Sequence, residues 1–187
     1  LTALPLFVWM GEILFRTRLS ENLFKGLSPW MQKLPGGLIH VNVVGCALFA
    51  AISGSSAATV ATVGKMSIPE LRKRNYPEKI LLGSLAGSGT LGLLIPPSII
   101  LIIYGVAVQE SIAKLFIAGI LPGIMIALIF MSYVIFWSLI NKKQMPKIIE
   151  EYSIFEKIKR SKQLLPVIFL ISAVIGSIYT GIATATE

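Results

Sequence analysis

The sequence predicts an all-α polytopic membrane protein that carries a re-entrant helical hairpin and a broken transmembrane helix. Three observations lead there. The 187 residues are 55% hydrophobic, with a mean hydropathy of +0.79, and the apolar residues form long runs instead of amphipathic faces. Of the 17 Lys and Arg, all but Lys114 fall within 16–33, 65–79 and 142–162, between the apolar runs; this is a topology signal under the positive-inside rule and not a nucleic-acid footprint. Finally, the apolar segments Val41–Gly64 and Ile80–Val108 are interrupted by Gly, Ser and Pro. Lipid offers no hydrogen bonds, so a broken helix survives only when buried in protein or lining a cavity. Paired interruptions of this kind point to a transporter's binding site.

Composition also excludes functions. The chain has no Asp, a single His (His40) and a single Cys (Cys46). Asp-based triads, Walker-type Mg²⁺ carboxylates, EF-hand loops and an internal disulfide are therefore outside its reach. His40 reads as a satisfied interfacial histidine because no second His or Cys ligand accompanies it. Gly54-Ser55-Ser56-Ala57-Ala58 lacks the spacing of a nucleophile elbow, so no enzyme is expected.

In chain order, 1–37 reads as the end of a transmembrane helix followed by interfacial amphipathic helices. Glu12 stands four residues before Arg16, where the two can pair. Leu19, Leu23 and Leu27 repeat at helical spacing, and Ser28-Pro29 resembles an N-cap followed by a first-turn proline. Segment 38–66 reads as the re-entrant hairpin. Its arms, Val41–Ile52 and Ala57–Gly64, span about 18 and 12 Å, too short for a core of about 30 Å, and basic loops flank it on both sides. Segment 67–111 begins with Ser67-Ile68-Pro69-Glu70, a capping-box pattern opening a short basic helix, and continues as the broken transmembrane helix. Segment 112–140 is a return span. Segment 141–163 is a cytoplasmic amphipathic connector with Ile148, Tyr152 and Phe155 on one face, and 164–187 begins a further span. The chain opens at Leu1-Thr2-Ala3 and closes at Thr186-Glu187 directly after an apolar run, which reads as part of a longer polypeptide.

Two stretches carry the candidate chemistry. At Ser53-Gly54-Ser55-Ser56 a helix ending at Ile52 leaves carbonyls suited to a cation, and a helix beginning near Ser56 leaves N–H groups suited to an anion. The alternative reading of this tip is a small-residue packing motif. The second stretch runs Gly87-Ser88-Gly89-Thr90, Gly92, then Pro96-Pro97-Ser98. Tandem prolines break the helical ladder, so a half-helix should start at Pro96 or Pro97 with Ser98 near its N-terminus. Gly83-x-x-x-Gly87 and Ser84-x-x-x-Ser88 read as close helix contacts. Residues 41–63 and 80–108 contain no titratable Asp, Glu, Lys, Arg or His. Hydroxyls and carbonyls suit Na⁺ better than a proton relay.

SGSSAATVATVGK (53–65), IPELRKRNYPEK (68–79) and GSLAGSGTLGLLIPPSIILIIYGV (83–106) resemble the large membrane (M) subunit of tripartite ATP-independent periplasmic (TRAP) transporters, and the resemblance extends over essentially the whole chain. It implies the first inverted repeat of an elevator-type transporter in the bacterial inner membrane. A small membrane (Q) subunit and a periplasmic substrate-binding protein are the implied partners. It further implies uptake of an organic acid of the sialic acid or C4-dicarboxylate type, with Na⁺ as coupling ion and no other cofactor. The motif-matched Na⁺ residues are Ser53, Ser55, Ser56, Thr90 and Gly92, with Ser56 and Ser98 facing the substrate. Gly181–Glu187 reads GIATATE, with Ala185 where the family usually has proline, and a second hairpin completing the substrate site is not in this sequence. The competing readings are a Na⁺/dicarboxylate carrier that needs no binding protein and a non-transporting membrane scaffold.

Overall fold

The computed structural model describes residues 19–146 and 152–180, together with Trp9, Ile13, Arg16 and Thr17. Apart from Trp9 and Ile13, the expected span over 1–15 lies outside these residues, as do Glu12 with its pairing, Ile148 and the GIATATE segment. Every regular element described is a helix: α1 (Leu19–Met31), α2 (Ile39–Ser53), α3 (Ser56–Lys73), α4 (Glu78–Gly89), α5 (Ile99–Val108), α6 (Ile112–Ile140), α7 (Ile154–Ser161) and α8 (Leu165–Tyr179), with short 3₁₀ turns at Thr90–Leu93, Lys142–Gln144 and Lys162–Leu164.

α1 buries Leu23, Phe24 and Leu27 and pairs Glu21 with Lys25 on its outer side. The N-cap expected at Ser28 does not form, because α1 continues through Pro29 to Met31. The Ser28 hydroxyl donates back to the Phe24 carbonyl at 2.6 Å, a bond available only inside a helix. The chain then turns through Gly36 and Gly37, both at positive φ. A Cβ on Gly37 would collide with the Tyr76 hydroxyl. That hydroxyl accepts the Leu38 N–H at 3.0 Å, and burial raises the phenol's pKa, keeping it neutral.

α2 is the hub. Its neighbours are α1, α3, α4, α6 and α8, and Ile39, Val43, Cys46, Phe49, Ala50 and Ile52 have no solvent exposure at all. Cys46, Phe49 and Ile52 pack with Leu23, Val63, Leu85 and Val167, so four neighbouring helices meet on its inner end. Val41 joins Phe24, Leu27, Leu38, Leu71 and Leu81 at the other end. An even distribution of apolar residues around α2 is what a helix enclosed on all sides requires.

α3 departs from the expected layout. The break anticipated near Gly64 and the separate capped helix from Ser67 are absent, and α3 runs unbroken from Ser56 to Lys73. Gly64 acts as a contact: a Cβ there would lie 2.9 Å from a Leu85 methyl, so its missing side chain lets α4 approach. Ser67 is fully buried inside the helix, and Glu70 binds Arg74 at 2.9 Å instead of reaching back to cap. At about 1.5 Å per residue α2 and α3 are roughly 22 and 27 Å long, longer than the arms read from sequence.

α4 ends in the 3₁₀ turn, and irregular backbone leads to α5, which starts at Ile99 with Ser98 as N-cap rather than at either proline. α6 contains 29 residues and is, among the described residues, the one helix long and apolar enough by itself to cross a membrane. Leu121, Leu128, Ile129 and Phe136 stand exposed along it. Gly87 rests against Phe130 of α6 at 3.2 Å for a built Cβ, whereas Gly83 has nothing within 4 Å, so only the second glycine of that pair makes a helix contact. In the connector, Tyr152 does not join an apolar face with Phe155. It stacks under Arg160, 4.3 Å from ring centre to guanidinium carbon, while Ile154, Phe155 and Ile158 point to the exterior.

Candidate functional site

α2 ends by the αL route: Gly54 adopts φ +60° and its N–H returns to the Ala50 carbonyl at 3.0 Å. Ser55 is extended and caps α3, its Oγ accepting from Ala58 N–H at 3.5 Å. Two helix termini of opposite polarity thus sit one turn apart. Among the described residues no hydrogen bond reaches the carbonyls of Ala51, Ile52 or Ser53. These are the groups whose partial negative charge attracts a cation.

The hydroxyls of the tip form a chain. Thr59 Oγ1 donates to the Ser55 carbonyl at 2.8 Å. Its one proton is thereby used, so Ser53 donates across the 2.9 Å Ser53–Thr59 contact. The lone pairs of Ser53 Oγ remain, with only a long 3.4 Å approach from the Ser55 N–H. Ser56 Oγ is buried and has no hydrogen-bond partner. A buried hydroxyl without a partner costs about 1–3 kcal/mol, which a ligand or water recovers.

The interrupted segment docks on this tip. The Ile99 N–H, first in α5, donates to the Gly54 carbonyl at 3.2 Å. A Cβ on Gly54 would lie 2.7 Å from the Pro97 carbonyl oxygen, and one on Gly92 would lie 2.8 Å from the Ser56 nitrogen and 2.9 Å from the Ser55 carbonyl carbon. Glycine at both positions is what lets the two backbones touch. Ser98 is fully buried beside this contact, its hydroxyl spent on the Leu93 carbonyl at 2.7 Å.

Of the residues chosen from sequence, Ser53, Ser55, Ser56 and Gly92 come together, and Ser98 lies in the segment that docks on them. Thr90 does not share their burial: it is exposed, and its hydroxyl donates to the Gly87 carbonyl in the last turn of α4 at 2.7 Å. Sequence reasoning missed Thr59 and Asn42. Asn42 Nδ2 donates to the Leu81 carbonyl at 3.2 Å and to Ser84 Oγ at 3.0 Å, and Ser88 Oγ reaches the Asn42 carbonyl at 3.4 Å. These bonds fasten α2 to α4. The available signal was an amide in a predominantly apolar helix. His40 is fully buried with Nε2 donating to the Pro35 carbonyl at 2.7 Å, and no cluster of three His, Cys, Asp or Glu exists among the described residues.

An enclosed helical hub, an exposed apolar α6 and polar groups confined to two helix interruptions define an all-helical membrane protein. The chain belongs to the tripartite ATP-independent periplasmic transporter DctM component family, whose model matches residues 1–187. It is 36% identical over 187 residues to the C4-dicarboxylate TRAP transporter large permease protein DctM of Pseudomonas aeruginosa, covering all of this chain and 43% of that protein. Identity is 35% to the isethionate TRAP transporter permease protein DctMQ of Oleidesulfovibrio alaskensis, over 99% of this chain and 29% of that protein. It is 34% to the sialic acid TRAP transporter permease protein SiaT of Haemophilus influenzae, over 100% and 30% respectively. The chain therefore spans less than half the length of these relatives, which are transporter permeases and not enzymes.

The docking contact yields a direct test. In the full-length permease Gly92→Ala places a methyl against backbone that has no room to yield, so it should separate tip from break and reduce uptake at least tenfold. Gly83→Ala, which meets open space, should leave uptake unchanged. Equal uptake in the two variants would show that the contact is not needed.

Proposed function

We propose that this chain supplies half of the transport domain of a Na⁺-coupled secondary transporter in the bacterial inner membrane. The organic acid it carries would be handed over by a periplasmic binding protein, with a small membrane subunit as scaffold. The observation that carries this reading is the docking of the α2–α3 tip on the α4–α5 interruption. Beside that contact α2 ends in carbonyls that accept no hydrogen bond among the described residues and the Ser56 hydroxyl is buried without a partner, and such neutral oxygens support the reading of a cation site. Na⁺ is a hard cation that takes such ligands. The family and the substrates named for the relatives support the organic-anion class.

On this reading α2 and α3 enter and leave the membrane on the cytoplasmic side, and the α4–α5 segment crosses it. Ser53 and Ser56 contribute hydroxyl oxygens to Na⁺ and Gly92 its carbonyl; Ser55, whose carbonyl already accepts from Thr59, and Thr90, whose hydroxyl is bound to Gly87, would exchange those bonds for the ion. The N-termini of α3 and α5, at Ser56 and Ser98, present a positive end to the substrate carboxylate. Binding of Na⁺ would order the tip against the break and so complete the substrate surface, and movement of the whole unit as an elevator would carry both across. Asn42 and its bonds to α4 keep the two interruptions in register during that movement.

Two experiments test the proposal. Ser56 is the sharpest ligand test, because its hydroxyl makes no bond in the protein and alanine there costs no packing. Ser56→Ala in the complete transporter should raise the Na⁺ concentration for half-maximal uptake several-fold, the equivalent of about 1 kcal/mol. Thermal stability measured without Na⁺ should hold or rise, because alanine removes an unpartnered hydroxyl, and uptake should vanish in Na⁺-free medium. An unaltered Na⁺ response would remove the hydroxyl from the ligand set. For the topology, cysteines replacing Lys33 and Lys65 should both react from the cytoplasmic face. Reaction from opposite faces would make 38–64 a crossing helix and undo the hairpin.

A further inference from the structure

Lys33, Tyr76 and Lys142 stand on three separate turns: the one between α1 and α2, the one between α3 and α4, and the 3₁₀ turn that follows α6. All three line one cavity of about 420 Å³, together with Gly36 and Ser138. Its positive charge is not balanced. Among the described residues no carboxylate lines the cavity, and neither lysine makes an ion pair. The acidic side chains of the surrounding helices are committed elsewhere: Glu21 to Lys25, Glu70 to Arg74 and Glu78 to Arg72, while Glu156 caps α7. The C-terminus of α6 brings about half a negative charge to the same wall, which offsets only part of two ammonium groups.

Two further donors in the lining are unspent. Tyr76 Oη accepts the Leu38 N–H at 3.0 Å, and its own proton meets no acceptor among the described residues. Gly36 is buried, at φ +102°, and its N–H makes no hydrogen bond among the described residues. A buried backbone N–H without a partner is rare, and leaving such donors unmade costs free energy that an accepting ligand recovers. We propose that this cavity is a binding site for a phosphate group. Phosphate oxygens only accept, and they point in several directions, so they can meet donors arriving from separate segments in a way that a planar carboxylate cannot. Hydrogen bonds from ammonium groups to phosphate are charge-assisted, and a lysine on a flexible stem adapts to the anion it meets. On the topology proposed above the three turns lie at the cytoplasmic surface, where phosphate is presented both by lipid headgroups and by soluble compounds; binding itself does not rest on that topology. A phosphate held here ties the turn that leads into α2 to the turn that leaves α6, and so fixes the entry of the hairpin to the long apolar helix.

The test uses the full-length permease with its small subunit, purified in a neutral detergent and stripped of lipid. One arm titrates potassium phosphate by calorimetry at constant ionic strength. The other compares phosphatidylglycerol with phosphatidylcholine by native mass spectrometry. Saturable binding is expected in at least one arm, and the arm identifies the source: inorganic phosphate for a soluble compound, or phosphatidylglycerol at least tenfold tighter than phosphatidylcholine for a headgroup. Lys33→Gln and Lys142→Gln, both exposed and unpaired in the parent, should each weaken that binding about fivefold, the equivalent of about 1 kcal/mol per cation. Lys79→Gln, a cation outside the cavity, should leave it unchanged. Absence of saturable phosphate binding together with equal affinity for the two lipids overturns the proposal, and this comparison needs only the parent protein. Binding that survives in the Lys33→Gln, Lys142→Gln double variant, or that Lys79→Gln weakens equally, places the anion elsewhere and also overturns it.

Discussion

The hydrogen bond from Ile99 N–H to the Gly54 carbonyl, at 3.2 Å, is the constraint on which the rest of the arrangement depends. It joins the one exposed-backbone turn of the α2–α3 pair to the one irregular stretch of the α4–α5 pair. Each of these would be costly in lipid alone, since neither can satisfy its own backbone. Together they shield one another, and the carbonyls of Ala51, Ile52 and Ser53 are left without a hydrogen bond among the described residues. The glycines at 54 and 92 are the steric condition for this: a single methyl at either would press on backbone within 2.8 Å.

The enclosure of α2 follows from the same constraint. For the tip to meet the interruption from inside the molecule, α2 must run through its centre, and its residues show it. Phe49, Ile52 and Val43 are fully buried, and the polar Asn42 is buried with its amide bound to α4. Rigidity at the hub and unsatisfied groups at the tip are thus parts of one design. The packed helices fix the positions of these polar atoms, because close-packed interiors do not deform smoothly. The transport reading needs both properties: a unit stiff enough to move as a body and a tip whose order depends on an ion.

The helical class, the turn at Gly54–Ser55 and the interruption ending at Ser98 were legible in the sequence because Gly, Ser and Pro disrupt backbone locally, whatever the surroundings. What the sequence misplaced depended on tertiary partners. Gly64 looked like an end and is a contact, because its neighbour Leu85 is distant in the chain. Ser67-x-x-Glu70 looked like a cap and lies inside α3, because Glu70 finds Arg74. Ser28-Pro29 looked like a start and lies within α1. Thr90 was grouped with the tip by its motif, yet its hydroxyl turns to Gly87. The role of Thr59 could not be read from a lone threonine, since it is defined by a 2.9 Å contact with Ser53 made only when the turn closes. Likewise, the meeting of Lys33, Tyr76 and Lys142 at one cavity is invisible in their spacing.

The central claim is that the docked tip holds Na⁺, and accessibility of the tip reads this most directly. In the full-length transporter, a cysteine replacing Ser55 should react with a water-soluble maleimide in K⁺ medium and become protected as Na⁺ is raised, at concentrations matching those that drive uptake. Reaction rates that are the same in Na⁺ and K⁺ across the whole range would contradict the account.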